Sequence, residues 1–353
     1  MTGAAEPHVL VRTRGRVGHI TLNRPRVLNA LTHAMVRDID AALDAWAGDD
    51  AISTVLIDGA GDRGLCAGGD IRSIYEDAKA GGGASAAFWR DEYRLNARIA
   101  RYPKPYVALM DGLVMGGGVG ISAHGGLRVV TERTAIAMPE TGIGFAPDVG
   151  GTHLLASAPG EIGVHLALTT ARMTAGDALA CGFADRFVPS GRLADLAGDL
   201  AGGDAAEVVS RYATPAPAAD LAAHRDWIDS AYAADTVEEI VTRLRTGPEA
   251  ARKAAEMIDG KAPTALKVTL RALRQARRLG RLEPVLDQEY RTSVAALTSH
   301  DLVEGIRAQV IDKDRSPRWS PATLEAVTTA GVDRYFAPLG DRELGLADGP
   351  RAR

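Results

Sequence analysis

Along the first 190 residues, short apolar runs alternate with amphipathic stretches. Val9–Arg12 and Val17–Leu22 read as two strands joined by a turn at Arg14-Gly15-Arg16. Thr32 is placed to cap a helix whose apolar positions Met35, Ile39, Leu43 and Trp46 recur three or four apart, and Gly48 ends it. Thr54–Asp58 and Tyr106–Met110 are unbroken apolar runs of the kind found in buried parallel strands. Between them, Ile71–Ala80 and Phe88–Ala100 predict helices on either side of a flexible Gly81-Gly82-Gly83. Trp89, Glu92, Tyr93, Asn96 and Ile99 fall near one face of the second helix, and Pro103 and Pro105 stop it. A further helix is expected from Gly116 to Ala123, with short strands at Leu127–Val130, Ala135–Met138 and Phe183–Val188. Thr174 and Asp177 predict a capping box for a helix closing at Gly182.

The strand–strand–helix pattern predicts an α/β unit over residues 1–190. Beyond it the strand signal disappears. Residues 191–338 read as helices, broken at Thr214-Pro215-Ala216-Pro217 and at Gly247-Pro248, and 339–353 read as a loose polar tail. No long internal repeat interrupts this division.

Composition narrows the class. Lys and Arg number 41 against 45 Asp and Glu, leaving a net charge of −4 with no basic excess for nucleic acid. The two cysteines, Cys66 and Cys181, build no disulfide framework and fit a reducing compartment. The N-terminal stretch lacks the apolar core of a signal peptide, and the most apolar long window, 106–130, carries Asp111, His124 and Arg128. These features predict a cytoplasmic protein with no membrane partner. Glycine is high, at 39 of 353 residues against a usual level of about 7%, and much of it lies between Gly59 and Gly151.

Two glycine-rich turns, Ala67-Gly68-Gly69-Asp70 and Met115-Gly116-Gly117-Gly118, each follow a buried strand. Glycine lets a ligand approach the backbone N–H groups, so two such turns brought together form a two-donor oxyanion hole; the other reading is close strand–helix packing. The loop Pro139–Gly151 carries Glu140 and Asp148 among Ile143, Phe145 and Val149. A carboxyl in such surroundings is poorly solvated, which raises its pKa and suits acid–base or nucleophilic work. The plainer readings are a capping or solvent-exposed acid for Glu140 and an N-cap for Asp148, of a helix entered at Val149.

Other chemistries fit less well. Gly118-Val119-Gly120-Ile121-Ser122-Ala123 formally matches a dinucleotide fingerprint, but Glu132 comes too early for a ribose-binding acid expected about 20 residues on. The serine at 122 lacks the following glycine of a nucleophile elbow. The eight histidines are scattered, so no metal is expected, and His33, His124, His153 and His165 are read as structural. Lys267–Arg281 is basic and is read as a solvated face or a partner for ligand phosphates.

Four motifs in order, Gly-Leu-Cys-Ala-Gly-Gly-Asp-Ile (64–71), Pro-Lys-Pro-Tyr-Val-Ala-Leu-Met-Asp-Gly (103–112), Met-Gly-Gly-Gly (115–118) and the 139–151 loop, resemble the enoyl-CoA hydratase/isomerase (crotonase) superfamily. The resemblance implies an α/β fold, a crotonase-like spiral of β-β-α units with a helical C-terminal region. It also implies an acyl-CoA substrate, no separate cofactor, and a thioester carbonyl held by the N–H groups of Gly69 and Gly117. Hydratases of this superfamily carry two catalytic glutamates; the first of those positions is Gly120 here, the second is Glu140, and an additional acid stands at Asp148. That pattern, with residues 88–96 and 304–319, resembles the 3-hydroxyisobutyryl-CoA hydrolase family of valine breakdown. It implies catalytic Glu140 and Asp148, with substrate contacts from Glu92, Gly117, Glu140 and Asp148. Glu140 as nucleophile and Glu140 as general base both remain open, as do hydratase or isomerase activity on the same fold and a catalytically silent acyl-CoA-binding protein. A homo-oligomer, as a trimer or a pair of trimers, is one state the superfamily implies; a C-terminal part folded back on its own domain is the other.

Overall fold

The computed structural model describes residues 6–347. The central sheet has six strands: β1 (Val9–Arg14), β2 (Val17–Leu22), β3 (Thr54–Gly59), β4 (Tyr106–Met110), then β6 (Leu127–Val130) and β8 (Arg186–Phe187). β5 (Leu113–Met115) and β7 (Ala135–Ala137) form a separate parallel pair. Only β1 and β2 pair antiparallel, through the turn at Gly15; every other pairing of the large sheet is parallel, with Ile20 opposite Ile57 and Leu56 opposite Val107.

Side chains alternate across this sheet with the period of two that a strand imposes. Ile20, Leu22, Val55, Ile57, Ala108 and Met110 face the main core. Val17, Leu56, Val107, Leu109 and Val129 face a smaller one, closed by Leu196, Leu200, Val208 and Val209 from helices Leu193–Asp199 and Ala205–Tyr212. Strands buried on both faces read as the apolar runs seen in the sequence.

On the main face lie α1 (His33–Ala47), α2 (Ile71–Ala80), α3 (Gly83–Ala100), α4 (Gly117–Ser122) and α5 (Gly151–Ser157). Thr32 caps α1, accepting from Met35 N–H, as expected. The glycine segment 81–83 is less open than expected. Gly81 and Gly82 take left-handed backbone, and Asp77 accepts from the Ala84 and Ser85 amides, so the carboxylate satisfies the first N–H groups of α3 and moves its start back to Gly83. Phe183–Val188 shortens to a two-residue strand, Arg186–Phe187.

After residue 190 the described chain carries helices and no strand, with an irregular stretch at 312–328, but it is not a separate body. Buried residues 228–344 join the same core cluster as the sheet, and helices Pro263–Leu279 and Leu282–Ala296 pack on α5 and α3. The expectation of a loose tail from 339 does not hold as far as residue 347. Leu344 is buried, Glu343 pairs with Arg291, and Asp287 accepts from the Leu346 and Ala347 amides. Residues 348–353 of that tail lie outside the described residues. The basic helix is likewise committed internally: Lys267 pairs with Glu238, Arg271 with Asp333, and Arg274 and Arg277 with Glu161. These four cations serve the protein's own acids, while Arg278 and Arg281 are exposed and enter no ion pair among the described residues, so the phosphate-partner reading is left to those two. Cys66 and Cys181 are buried free thiols.

Candidate active site

The two glycine turns meet at the C-terminal ends of β3 and β4. Leu31 brackets the first: its N–H donates to Gly68 O at 2.8 Å and its carbonyl accepts from Asp70 N–H at 2.8 Å, leaving the Gly69 amide between them unused. The second turn is tied by Met115 N–H to Cys66 O (3.0 Å) and leads straight into α4, whose first residue is Gly117. Neither the Gly69 nor the Gly117 amide finds an acceptor among the described residues. The two glycines are neighbours: a Cβ on Gly117 would lie 3.3 Å from Gly69 N and only 2.6 Å from Glu92 Oε1. A side chain is thus excluded at 117, and the paired amides face one cavity at the positive end of α4.

That cavity, of about 120 Å³, is lined by all five residues singled out in the sequence: Gly69, Glu92, Gly117, Glu140 and Asp148. Its walls are Ile71, Ile74, Phe88, Trp89 and Phe145, with Leu302 and Ile306 added from helix His300–Ile306. Trp89 and Phe145 stack at 5.2 Å. Glu140 opens a short 3-10 turn, Glu140–Ile143, and is 6% exposed, which removes the solvent-exposed reading. Asp148 does not cap a helix. The helix begins at Gly151, after Gly150, and the Asp148 carboxyl instead accepts from Tyr93 OH at 2.7 Å. Ser293 lies 2.7 Å from the same phenol oxygen. Because Tyr93 gives its proton to Asp148, the Ser293 hydroxyl donates to Tyr93.

Three buried acids without a cation among them are expensive to ionise. Burial, then the charge of Asp148, pushes Glu92 and Glu140 well above the ordinary glutamate range. Burial pushes Asp148 up to about 7, against the opposing pull of the Tyr93 hydrogen bond. Glu92 Oε1, Glu140 Oε2 and both polar atoms of Asn96 are buried without a protein partner. Such orphaned groups are rare in native interiors and mark where a ligand or water bonds. No cluster of His, Cys, Asp and Glu suited to a metal occurs among the described residues. Position 120 is closed to an acid: a Cβ on Gly120 would lie 2.7 Å from Val149 Cβ and 2.8 Å from Asn96 Nδ2.

Some supporting residues were not singled out. Asn29, buried with left-handed backbone, donates to Ala60 O and Leu65 O at 3.0 Å and accepts from Arg24 N–H, fixing the loop before the first glycine turn. A lone asparagine after Leu28 offers no pattern that announces this. Tyr93 was visible only as part of the buried face of α3. Ser293 and Glu289 act across contacts that sequence separation hides.

A spiral α/β fold whose paired glycine amides confront buried carboxyls defines an enzyme class that acts on acyl thioesters. The family model for enoyl-CoA hydratase/isomerase matches residues 17–336, and the chain belongs to that family. Among curated relatives, 3-hydroxyisobutyryl-CoA hydrolase, mitochondrial, of Gallus gallus is 44% identical over 96% of this chain and 91% of the relative. That of Homo sapiens is 43% identical over 97% and 92%. Among solved structures, a carnitinyl-CoA dehydratase from Mycobacterium thermoresistibile superposes with a TM-score of 0.93 at 52% identity, covering 96% of this chain and 98% of that one. An enoyl-CoA hydratase from Rhodobacter sphaeroides 2.4.1 gives 0.90 at 48%, covering 96% and 99%. These neighbours establish the crotonase-like fold. The expected cytoplasmic location is corrected by the same comparisons, since these curated hydrolases are named mitochondrial.

Proposed function

We propose that the protein is an acyl-CoA thioester hydrolase that converts 3-hydroxyisobutyryl-CoA and water into 3-hydroxyisobutyrate and CoA, a step of valine breakdown. Near-full-length similarity to curated hydrolases of that name supports the reading. The observation that carries it is the site's acid pattern: Glu140 and Asp148 line the cavity, while Gly120 leaves no room for the first of the two glutamates a hydratase of this superfamily uses.

The thioester carbonyl oxygen sits between the N–H groups of Gly69 and Gly117, which stabilise the negative charge that develops on it. Glu140 attacks the carbonyl carbon to give a mixed anhydride, or takes a proton from a water that attacks it. Either way the C–S bond breaks, CoA leaves as the thiol after taking up a proton, and one water is consumed. Asp148, steadied by Tyr93, accepts a hydrogen bond from the substrate 3-hydroxyl and keeps Glu140 basic by like-charge repulsion. Glu92 closes the acyl pocket beside Gly117. The substrate carries its own CoA, and no further cofactor enters the scheme.

Two structural neighbours are named for dehydratase and hydratase activities. A hydratase or isomerase leaves the thioester intact, so free thiol decides between the readings. The expected result is stoichiometric CoA release from 3-hydroxyisobutyryl-CoA and 3-hydroxypropionyl-CoA, with crotonyl-CoA neither cleaved nor hydrated at a comparable rate. Hydration of crotonyl-CoA without thiol release would overturn the proposal, as would binding of all three without turnover.

A further inference from the structure

We infer that Glu289, on helix Leu282–Ala296, is a positioning residue that sets where the Asp148 carboxyl stands, by fastening the turn that follows it. This rests on the hydrolase reading above and extends it to the C-terminal helices.

The turn after Asp148 is unusual. Val149 (φ +54) and Gly150 (φ +78) are consecutive left-handed residues, and the first is β-branched, for which that conformation is an outlier. Such backbone persists only where its surroundings over-determine it. Glu289 supplies most of that constraint: Oε2 accepts from Gly150 N–H at 2.6 Å, and Oε1 accepts from Thr152 N–H at 2.9 Å and from the Thr152 hydroxyl at 2.5 Å. Backbone amides of a left-handed turn form a concavity suited to carboxyl oxygens, and here they come from a side chain 137 to 139 residues along the chain, whose pKa burial pushes up to about 8 against the pull of these hydrogen bonds. On the opposite side, His124 Nε2–H donates to Val149 O at 2.8 Å; burial holds this imidazole neutral.

The same helix reaches Asp148 a second way. Ser293 lies one turn after Glu289 on the same helix face and donates to Tyr93, which donates to Asp148 Oδ2. One helix therefore grips the Asp148 segment both at the main chain and at the carboxyl. Glu289 is 1% exposed and does not line the cavity, so its role toward substrate is indirect. A buried carboxylate is costly where packing alone is required; three convergent donors from one turn give it a purpose.

The test is thiol release by wild type, Glu289→Gln and Thr152→Val, with 3-hydroxyisobutyryl-CoA and with isobutyryl-CoA as the hydroxyl-free comparator. The Gln amide sets a donor against a donor and loosens the turn. A displacement on the order of 1 Å costs about 100-fold. E289Q should lose about that factor in kcat/KM on the hydroxylated thioester, and its preference over isobutyryl-CoA should fall at least about 10-fold, because Asp148 no longer meets the 3-hydroxyl. Thr152→Val, which removes one of the three bonds, should shift the preference the same way by about 3- to 10-fold, and it decides the matter if E289Q does not fold. An unchanged preference in whichever variant folds, including an equal loss on both substrates, overturns the positioning role. Failure of the wild type to release thiol would instead overturn the hydrolase reading itself.

Discussion

At Gly117 the missing side chain is a condition of the chemistry. The Glu92 carboxyl comes within 2.6 Å of where a Cβ would go, and the Gly117 amide is one of two donors without an acceptor among the described residues. Gly117→Ala keeps the N–H but sets its methyl against the Glu92 carboxyl, so the donor or Glu92 must shift; a displacement on the order of 1 Å should reduce kcat by about 100-fold, measured as thiol release under saturating substrate. Asp148 sets a second expectation. Burial pushes its pKa up to about 7 and holds Glu140 well above its ordinary range too, and both act as carboxylates, so kcat/KM should fall on an acid limb at about pH 7 or above. The same shift bears on stability. A carboxyl whose folded pKa lies above its ordinary 3.8 binds its proton more tightly in the folded state, so its contribution to stability falls between about pH 4 and 7 and stays low above. Asp148→Asn should therefore raise the Tm at pH 8 by on the order of 2 °C and leave it nearly unchanged at pH 4. The residues readable from sequence were those that break a local rule: glycines where a helix begins, acids inside an apolar loop. Asn29, Glu289 and Ser293 break none, because each works through a partner distant in sequence, 31 residues away for Asn29 and Ala60, 139 for Glu289 and Gly150, and 200 for Ser293 and Tyr93.

Among the elements, α3 carries the most. Its spacing places Glu92 against Gly117, Asn96 against Gly120 and Tyr93 against Asp148, all on the buried stripe that its periodicity predicted. Its start was misplaced because the cap comes from Asp77, seven residues before Ala84 and on the previous helix. The alternative reading of Asp148 as a cap fails for a related reason: the left-handed pair Val149–Gly150 delays α5 until Gly151, and side-chain pattern does not reveal positive φ at a valine. Tyr93→Phe tests this element. It removes the donor that favours ionised Asp148, so the acid limb should move to higher pH and kcat at pH 7 should fall about 10-fold, while activity partly recovers at pH 8.5. An unmoved limb would mean that the phenol does not govern Asp148.

For the whole molecule, the boundary near residue 190 marks a change of secondary structure and not of folding unit. The alternating pattern identified the α/β unit, the resemblance to the superfamily implied its spiral, and the later amphipathic stretches identified helices. Neither could show that those helices complete the site, with Leu302 and Ile306 in its wall and Ser293 behind its acid. With one core cluster spanning both parts, the full chain should unfold in a single cooperative transition, with near-UV and far-UV circular dichroism coinciding. A fragment ending at 190 should lack cooperative unfolding altogether. Two independent transitions would restore the two-domain division expected from sequence.

In the proposed reaction the Gly69 and Gly117 amides grip the thioester carbonyl oxygen while Glu140, with Asp148 beside it, brings about cleavage of the C–S bond. CoA release from 3-hydroxyisobutyryl-CoA by Glu140→Gln and Asp148→Asn, each set against wild type, tests it most directly. Both variants should lose at least about 100-fold with the fold intact; full thiol release from either folded variant would contradict these roles.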